Sequence, residues 1–446
     1  MLKERGNCYM YRNIFISDPP ERTPSTPKTA TQAAIEEIFS FDGPPDAMIS
    51  VAGKVYLYFG GNGYFGLQAD PEVLAATCEA VMCYGVSTAT TRTAFTSPPV
   101  FEVERRVAEM IGTPHALYTA SGYLANQILL ESLEKVFDRV FIDEAAHYSL
   151  FDAVRRLRGV KRKPITFKHR SAEDLREQLD TNLQLHERPI VLTDGVFSLL
   201  ETIAPLDEYM ELLANYDGAS LLVDDAHGFG VLGDTGRGTL EYFGLDTSTV
   251  NQTATDSVDA FGLGSAGLGS AGLEPMTGNA VQTYLTFSLS KAIGGSGGII
   301  PGSESFIQRL KDWSAVYFGA SPPASPIAAA TAKSLSMLTD TTLREKLQDN
   351  VKLLRLGLRS TGLTDAGLAD ASLKGGESPL PMVILTLGSA GNMRRIQKEL
   401  SESGILISYL PRNVGLGSQG ALRIAIFASH TPQMIQELLD SLRSVV

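Results

Sequence analysis

Two acids, an imidazole and a lysine are the residues whose types and spacing suggest chemistry. An apolar run, Ser220-Leu-Leu-Val, ends in Asp224-Asp225, and His227 follows in a stretch broken by Gly228, Gly230 and Gly233. Read as a strand, that run points its carboxyl end at the crevice where open α/β sheets bind ligands. A carboxylate buried there beside a cationic heterocycle gains a charge partner that offsets its desolvation. The alternative is that Asp224 and Asp225 merely cap a turn, and His227 with its glycines tips the balance toward a ligand. The second signal is Thr286-Phe-Ser288-Leu-Ser290-Lys291, followed by Gly294, Gly295, Gly297 and Gly298. A lysine in that setting either cradles phosphate or forms a Schiff base. The glycines follow the lysine, so this is not a Walker loop, and Ser288 and Ser290 are placed to donate to a phosphate.

Two weaker signals join these. Thr119-Ala-Ser121-Gly122-Tyr123 lies between a short apolar piece and a helical pattern, and free N–H groups at a helix start bind anions. His147 follows Phe141-Ile-Asp-Glu, where an imidazole is either a stacking platform for a planar ring or a satisfied structural group. The pyridinium of pyridoxal 5'-phosphate (PLP) is the cationic heterocycle these four sites suit, because a carboxylate that keeps its nitrogen protonated makes the ring an electron sink.

Elements must position these residues. Helical spacing over Pro71–Cys83, Val100–Ile111, Leu124–Leu133, Leu150–Leu157 and Leu206–Tyr216 alternates with strand-like runs at Arg139–Ile142, Pro189–Thr193 and Ser220–Val223. That rhythm predicts an α/β fold with a mostly parallel sheet between helices. Val51–Phe59 reads as a strand or hairpin. Residues 1–64 form an N-terminal segment: a proline-rich arm with a helix around Thr31–Phe41, then that strand. Residues 65–320 form a large domain. It is interrupted at Asp246–Thr283 by a loosely packed insertion with the repeat Leu263-Gly-Ser-Ala-Gly, Leu268-Gly-Ser-Ala-Gly. Residues 321–446 form a smaller C-terminal α/β domain. It carries helices Ile327–Leu338, Arg344–Leu358, Asn392–Ser401 and Pro432–Val445, with strands Met382–Leu387 and Leu422–Phe427.

Bulk properties exclude other classes. With 446 residues, 43% hydrophobic and 20% charged, the chain is an ordinary globular one with room for more than one lobe. A net charge of -12 argues against nucleic acid, which wants a basic face. Three cysteines, Cys8, Cys78 and Cys83, supply neither a disulfide framework nor a metal site and suit a reducing cytoplasm. No apolar run approaches the ~20 residues of a membrane span.

Taken together the motifs resemble the α-oxoamine synthases, acyltransferases of PLP fold-type I. The likeness runs from about Tyr58 to the C-terminus. Its most specific part is Thr193-Asp-Gly-Val-Phe-Ser198 with Ile203-Ala-Pro-Leu, then Val223-Asp-Asp-Ala-His227-Gly and Gly233-Asp-Thr-Gly-Arg-Gly238. Asn62-Gly-Tyr-Phe-Gly66-Leu67 is similar to the family's opening segment, and Leu422-Arg423-Ile with Ala428-Ser-His-Thr431 to its closing one. The resemblance implies that Lys291 carries PLP, that Asp224 pairs with the pyridine nitrogen and that His227 bonds the phenolic oxygen. It also implies that His147 stacks on the ring with Ser198 nearby, while Ser121, Gly122, Tyr123 and Ser288 hold the phosphate. Asn62 and Arg423 become candidates for the amino-acid carboxylate, and Ser321 for a neighbouring subunit's phosphate in a homodimer with shared sites. The implied reaction condenses a small amino acid with an acyl-CoA, releasing CoA and usually CO2, to give an α-aminoketone. Two segments depart from the pattern: Thr96-Ser-Pro-Pro-Val100 lacks a histidine common in the family, and Ser87-Thr-Ala-Thr-Thr-Arg92 replaces a glycine-rich turn. They motivate the alternatives of another PLP reaction on this fold, an aminotransferase or side-chain lyase. A non-catalytic PLP-fold partner subunit is a third reading, opposed by the intact Lys291, Asp224 and His227.

Overall fold

A computed structural model describes residues 40–158, 163–252, 281–360, 362–363, 378–411 and 419–446. The helix expected around Thr31–Phe41 and the glycine-alanine repeat lie outside the described residues. The elements below belong to the compact unit Phe41–Val446.

The strand or hairpin expected at Val51–Phe59 is a hairpin: β1 (Met48–Val51) pairs antiparallel with β2 (Lys54–Tyr58). The two-residue loop is Ala52-Gly53, both at positive φ, as tight hairpin turns require. The central sheet draws on β3 (His115–Thr119), β4 (Arg139–Asp143), β5 (Ile165–Phe167) and β6 (Pro189–Asp194). A small antiparallel pair follows, β7 (Val196–Phe197) with β8 (Thr202–Ile203). Then come β9 (Ser220–Asp224), β10 (Gln282–Ser288) and β11 (Gly298–Gly302). The seven central strands lie in the order β3-β11-β10-β9-β6-β4-β5. Only β11 runs against its neighbours, so the sheet is mostly parallel as the alternation predicts. The last strands are β12 (Met382–Leu385), β13 (Ile405–Leu406), β14 (Ser408–Leu410) and β15 (Ala421–Ala425). β15 sits between β12 and β14 in a separate antiparallel sheet, while β13 adds in parallel to β2.

The apolar runs are strands because both faces of the sheet are covered. Leu221, Leu222 and Val223 are wholly buried, and such burial stabilises by about 1.5–3 kcal/mol per side chain. The expected loose insertion is narrower than read at both ends. Thr247, Val250 and Asn251 are buried; Asn251 donates to Leu285 O and Pro301 O and accepts from Leu285 N. Gln282 and Thr283 already belong to β10. Asn251 stands at φ 52, a left-handed position that asparagine tolerates better than most residues. One asparagine thus latches the start of the insertion onto two strands, a role that composition alone does not display.

Candidate active site

Five parallel strands end at one crevice, and the chemistry sits on those ends. Beyond β3, Ser121 caps the helix Gly122–Ser132, its Oγ accepting from Leu124 N at 3.2 Å. Beyond β4, His147 caps the helix Tyr148–Arg156. β6 ends in Asp194 and β9 in Asp224, and these two residues are register partners on adjacent strands. β10 ends in Ser288, three residues before Lys291. A cavity of about 580 Å³ opens there, lined by Asn62, Ser121, Gly122, Tyr123, His147 and Ser198, and by Asp224, His227, Ser288, Lys291 and Arg423. Its size is that of a cofactor or small-molecule site. Ser321 alone among the expected residues lies elsewhere, beside Arg92, Tyr118 and Tyr317 in a separate small cleft.

Asp224 is oriented by a buried polar chain. The Thr286 hydroxyl donates to Asn126 Oδ1 at 2.6 Å, and Asn126 Nδ2 donates to Asp224 Oδ2 at 2.5 Å and to Ser149 Oγ at 2.9 Å. Ala226 N donates to the other carboxylate oxygen at 3.2 Å. Burial raises the Asp224 pKa, while Asn126, His147 and Lys291 pull it back. Ser149, having accepted from Asn126, donates to His147 Nδ1 at 2.8 Å. Nδ1 is therefore an acceptor, and the proton of a neutral His147 sits on Nε2.

A second chain fixes His227. Arg423 has only donors, so at 3.4 Å the Tyr64 oxygen accepts from its Nη2, and the Tyr64 proton turns to His227 Nδ1 at 2.9 Å. Burial raises the Tyr64 pKa to about 12, which keeps that proton in place. Burial, Lys291 and Arg423 hold the His227 pKa well below the usual histidine range. The neutral ring thus carries its hydrogen on Nε2. Lys291 is likewise lowered from the usual lysine value, first by burial and then by Arg423, against the opposing pull of Asp224. Arg423, 4% exposed, donates to Gly61 O at 2.7 Å and Asn62 Oδ1 at 2.6 Å. Its Nε–H has no hydrogen-bond partner among the described residues.

Asp225 does a different job from its neighbour. Its carboxylate takes Thr239 N and Thr239 Oγ1, each at 2.6 Å. Gly238 must be glycine there: at φ 100 an added Cβ would meet Asp225 Oδ2 at 2.0 Å. Asp225 therefore shapes the glycine-rich loop. Reading the sequence missed Asn126, Ser149, Asp194 and Tyr64 as site residues. Asp194 accepts the His147 N–H at 3.0 Å, and its pKa is held well above the carboxylate range by burial and then by Asp224. Asp194 and Tyr64 lie inside motifs already singled out, so their position was a usable signal. Asn126 and Ser149 sit within helices and offered none.

Comparison with known proteins decides the family. Residues 91–195 match the family model described as beta-eliminating lyase. The chain is 32% identical to the 8-amino-7-oxononanoate synthase of Nitrosococcus oceani, covering 91% of this chain and 95% of that one. It is 33% identical to the enzyme of the same name from Methylococcus capsulatus, over 91% of this chain and 93% of that one. The chain belongs to the α-oxoamine synthase family. Solved structures share its fold. Serine palmitoyltransferase of Sphingomonas wittichii matches with a TM-score of 0.76 at 23% identity over 91% of each chain. The 8-amino-7-oxononanoate synthase of Francisella tularensis matches with a TM-score of 0.64 at 22% identity, over 87% of this chain and 97% of that one. As a member of this family the protein is a PLP-dependent C-acyltransferase, condensing an amino acid with an acyl-CoA and releasing CoA.

The residues present fit the cofactor. Asp224 is a buried carboxylate placed to gain from a pyridinium, and Lys291 is a half-buried amine lowered toward its nucleophilic form. Gly122 packs so closely that an added Cβ would stand 3.0 Å from Ser288 Cβ. The helix start and the Ser288–Ser290 pair, their hydroxyls 2.8 Å apart, therefore form one tight cradle for an anion. No described helix is long and apolar enough to cross a membrane.

Proposed function

We propose that Lys291, Asp224 and His227 carry the reaction, and that the carrying observation is their convergence with Arg423 on one cavity at the strand ends. PLP, when bound, supplies an electrophilic carbon for amines and a sink for the electron pair left after α-proton removal. Asp224, with Asn126 and Ala226 N fixing its two oxygens, holds the proton on the pyridine nitrogen. His227 would donate from Nε2 to the ring's phenolic oxygen, since Tyr64 occupies Nδ1. His147 would stack on the ring, with Ser198 lining the same cavity. Ser121, Gly122, Tyr123 and Ser288 bind the phosphate through the helix start and hydroxyls. Asn62 positions Arg423, whose unpaired Nε–H takes an amino-acid carboxylate. The Lys291 amine, its pKa lowered, takes up the α-proton at Nζ and returns one to the product.

The product for which the bacterial relatives are named, 8-amino-7-oxononanoate, is an α-aminoketone. Disconnected between the ketone carbon and the amine carbon, it leaves an alanine-derived fragment and a seven-carbon acyl chain ending in carboxylate. That pair is the first to assay, with glycine and serine and shorter or longer acyl-CoAs beside it. Free CoA should appear only when amino acid and acyl-CoA are both present. Keto acid formed without thioester consumption would move the protein to an aminotransferase reading. The proposal extends to a cytoplasmic homodimer in which Ser321 serves the neighbouring site. It also keeps the division at residues 64 and 320, with the seven-stranded sheet inside the middle segment.

A further inference from the structure

One wall of the cavity is held by groups the chemistry does not use. Ser198, Leu199 and Leu200 line it, and the chain then passes through Glu201 at φ 56. A glutamate in the left-handed region is strained. It is also 1% exposed, and its Oε1 accepts from Arg355 Nη2 at 2.6 Å, the arginine being equally buried. Arg355 Nη2 also reaches Leu380 O at 3.1 Å and Met382 O at 3.2 Å, next to and on β12. Glu201 Oε2 accepts from Ile384 N at 2.9 Å, and Ile384 is the register partner of Arg423 across β12 and β15. On the other side of the same loop, His169 Nε2 bonds Thr202 Oγ1 at 2.9 Å, and its Nδ1 bonds the buried Asp143 at 3.1 Å.

A buried ion pair gives little net stability, because desolvation consumes most of the attraction. Placing one at a strained backbone position adds a further cost. What this pair does accomplish is geometric. It ties the wall carrying Ser198 to the strand beside Arg423 through a single carboxylate. We propose that Glu201 is a positioning residue for the amino-acid substrate: with Arg355 it fixes the distance between the Ser198–Leu200 wall and Arg423. This rests on the reading of Arg423 as the carboxylate site.

The test is a titration of the PLP-loaded enzyme with amino acid, followed by the change in cofactor absorption, together with steady-state kinetics. Glu201→Gln keeps the shape and removes the charge. It should weaken amino-acid binding and raise KM by roughly tenfold, the order expected for losing one charge-assisted hydrogen bond. kcat should stay within about threefold and the cofactor band should stay in place. A double variant, Glu201→Gln with Arg355→Met, leaves no stranded guanidinium and decides the matter if the single variant does not fold. It too should bind amino acid more weakly. Wild-type affinity in whichever variants fold, with only the melting temperature lowered, would show a purely structural pair and overturn the proposal. Arg423→Lys in the same titration separates the two readings. Unchanged affinity there would remove the carboxylate site itself, and the proposal with it, whatever the Glu201 variants do.

Discussion

Asp224→Asn is the perturbation whose consequence follows most directly from the site. Both carboxylate oxygens accept a hydrogen bond, one from Asn126 Nδ2 at 2.5 Å and one from Ala226 N at 3.2 Å. An amide of the same shape has one oxygen, so its NH2 must oppose one of these donors. The amide also carries no charge to hold a proton on the pyridine nitrogen. Removing one partner of a buried charged pair costs about 3–5 kcal/mol; the donor–donor clash, about 1–3 kcal/mol, is present with or without cofactor and lowers stability rather than affinity. At about 1.4 kcal/mol per decade, PLP affinity should fall by roughly two to three and a half orders of magnitude. The assay is titration of cofactor-free enzyme with PLP, read by absorption. α-Proton exchange of the amino acid into heavy water is then measured at saturating cofactor and should slow by at least about a hundredfold. Cofactor affinity within threefold of wild type, together with unchanged exchange, would refute the pairing of Asp224 with the ring nitrogen.

Gly122→Ala should fold, since the residue begins a helix at ordinary φ, yet its Cβ would crowd Ser288 at 3.0 Å. PLP and inorganic phosphate should both bind roughly tenfold more weakly, measured by equilibrium dialysis, with the melting temperature of the cofactor-free protein little changed. His430 gives a pH dependence of stability. It lies between Phe59 and Phe427, accepting from Phe427 N at Nδ1 and bonding Tyr58 O through Nε2, so it is buried neutral. Burial lowers its pKa from 6.5 to about 4. The unfolded chain therefore binds the proton first as pH falls. Stability from this group is fully present above pH 6.5 and is lost between there and about pH 4, by about 3 kcal/mol. Denaturant titrations across that range should show the loss, and His430→Gln should flatten it.

Strands β4, β6 and β9 were legible because each is a short apolar run followed by polar or glycine residues, as at Val140–Asp143 and Leu221–Asp224, whereas β5 and β10, interrupted by threonines, were not read as strands. Strand ends in such sheets face the ligand, so Asp224 and His147 could be placed before any contact was known. Antiparallel β11 escaped notice because Gly298-Ile-Ile-Pro-Gly302 carries the marks of a turn. Asn126 escaped because a polar residue within a helix gains meaning only when the helix packs over the end of β9. Glu201 and Arg355 stand 154 positions apart, and nothing local in either segment announces the other. The departures at Ser87–Arg92 have a structural counterpart: Arg92 pairs with Glu104 and donates to Tyr118 O. A side-chain ion pair braces that segment.

The central claim is that Lys291 holds the cofactor and that the bound cofactor activates an amino acid toward a thioester. The direct measurement is the absorption spectrum of the PLP-loaded protein beside Lys291→Ala, first alone, then with amino acid, then with acyl-CoA. The account predicts a band near the visible edge in the wild type that borohydride fixes covalently to Lys291, that shifts with the right amino acid, and that precedes release of free CoA. Lys291→Ala should bind PLP without that covalent link and release no CoA. A wild-type spectrum without a lysine-bound band, or a Lys291→Ala protein that still turns over, would contradict the account at its centre.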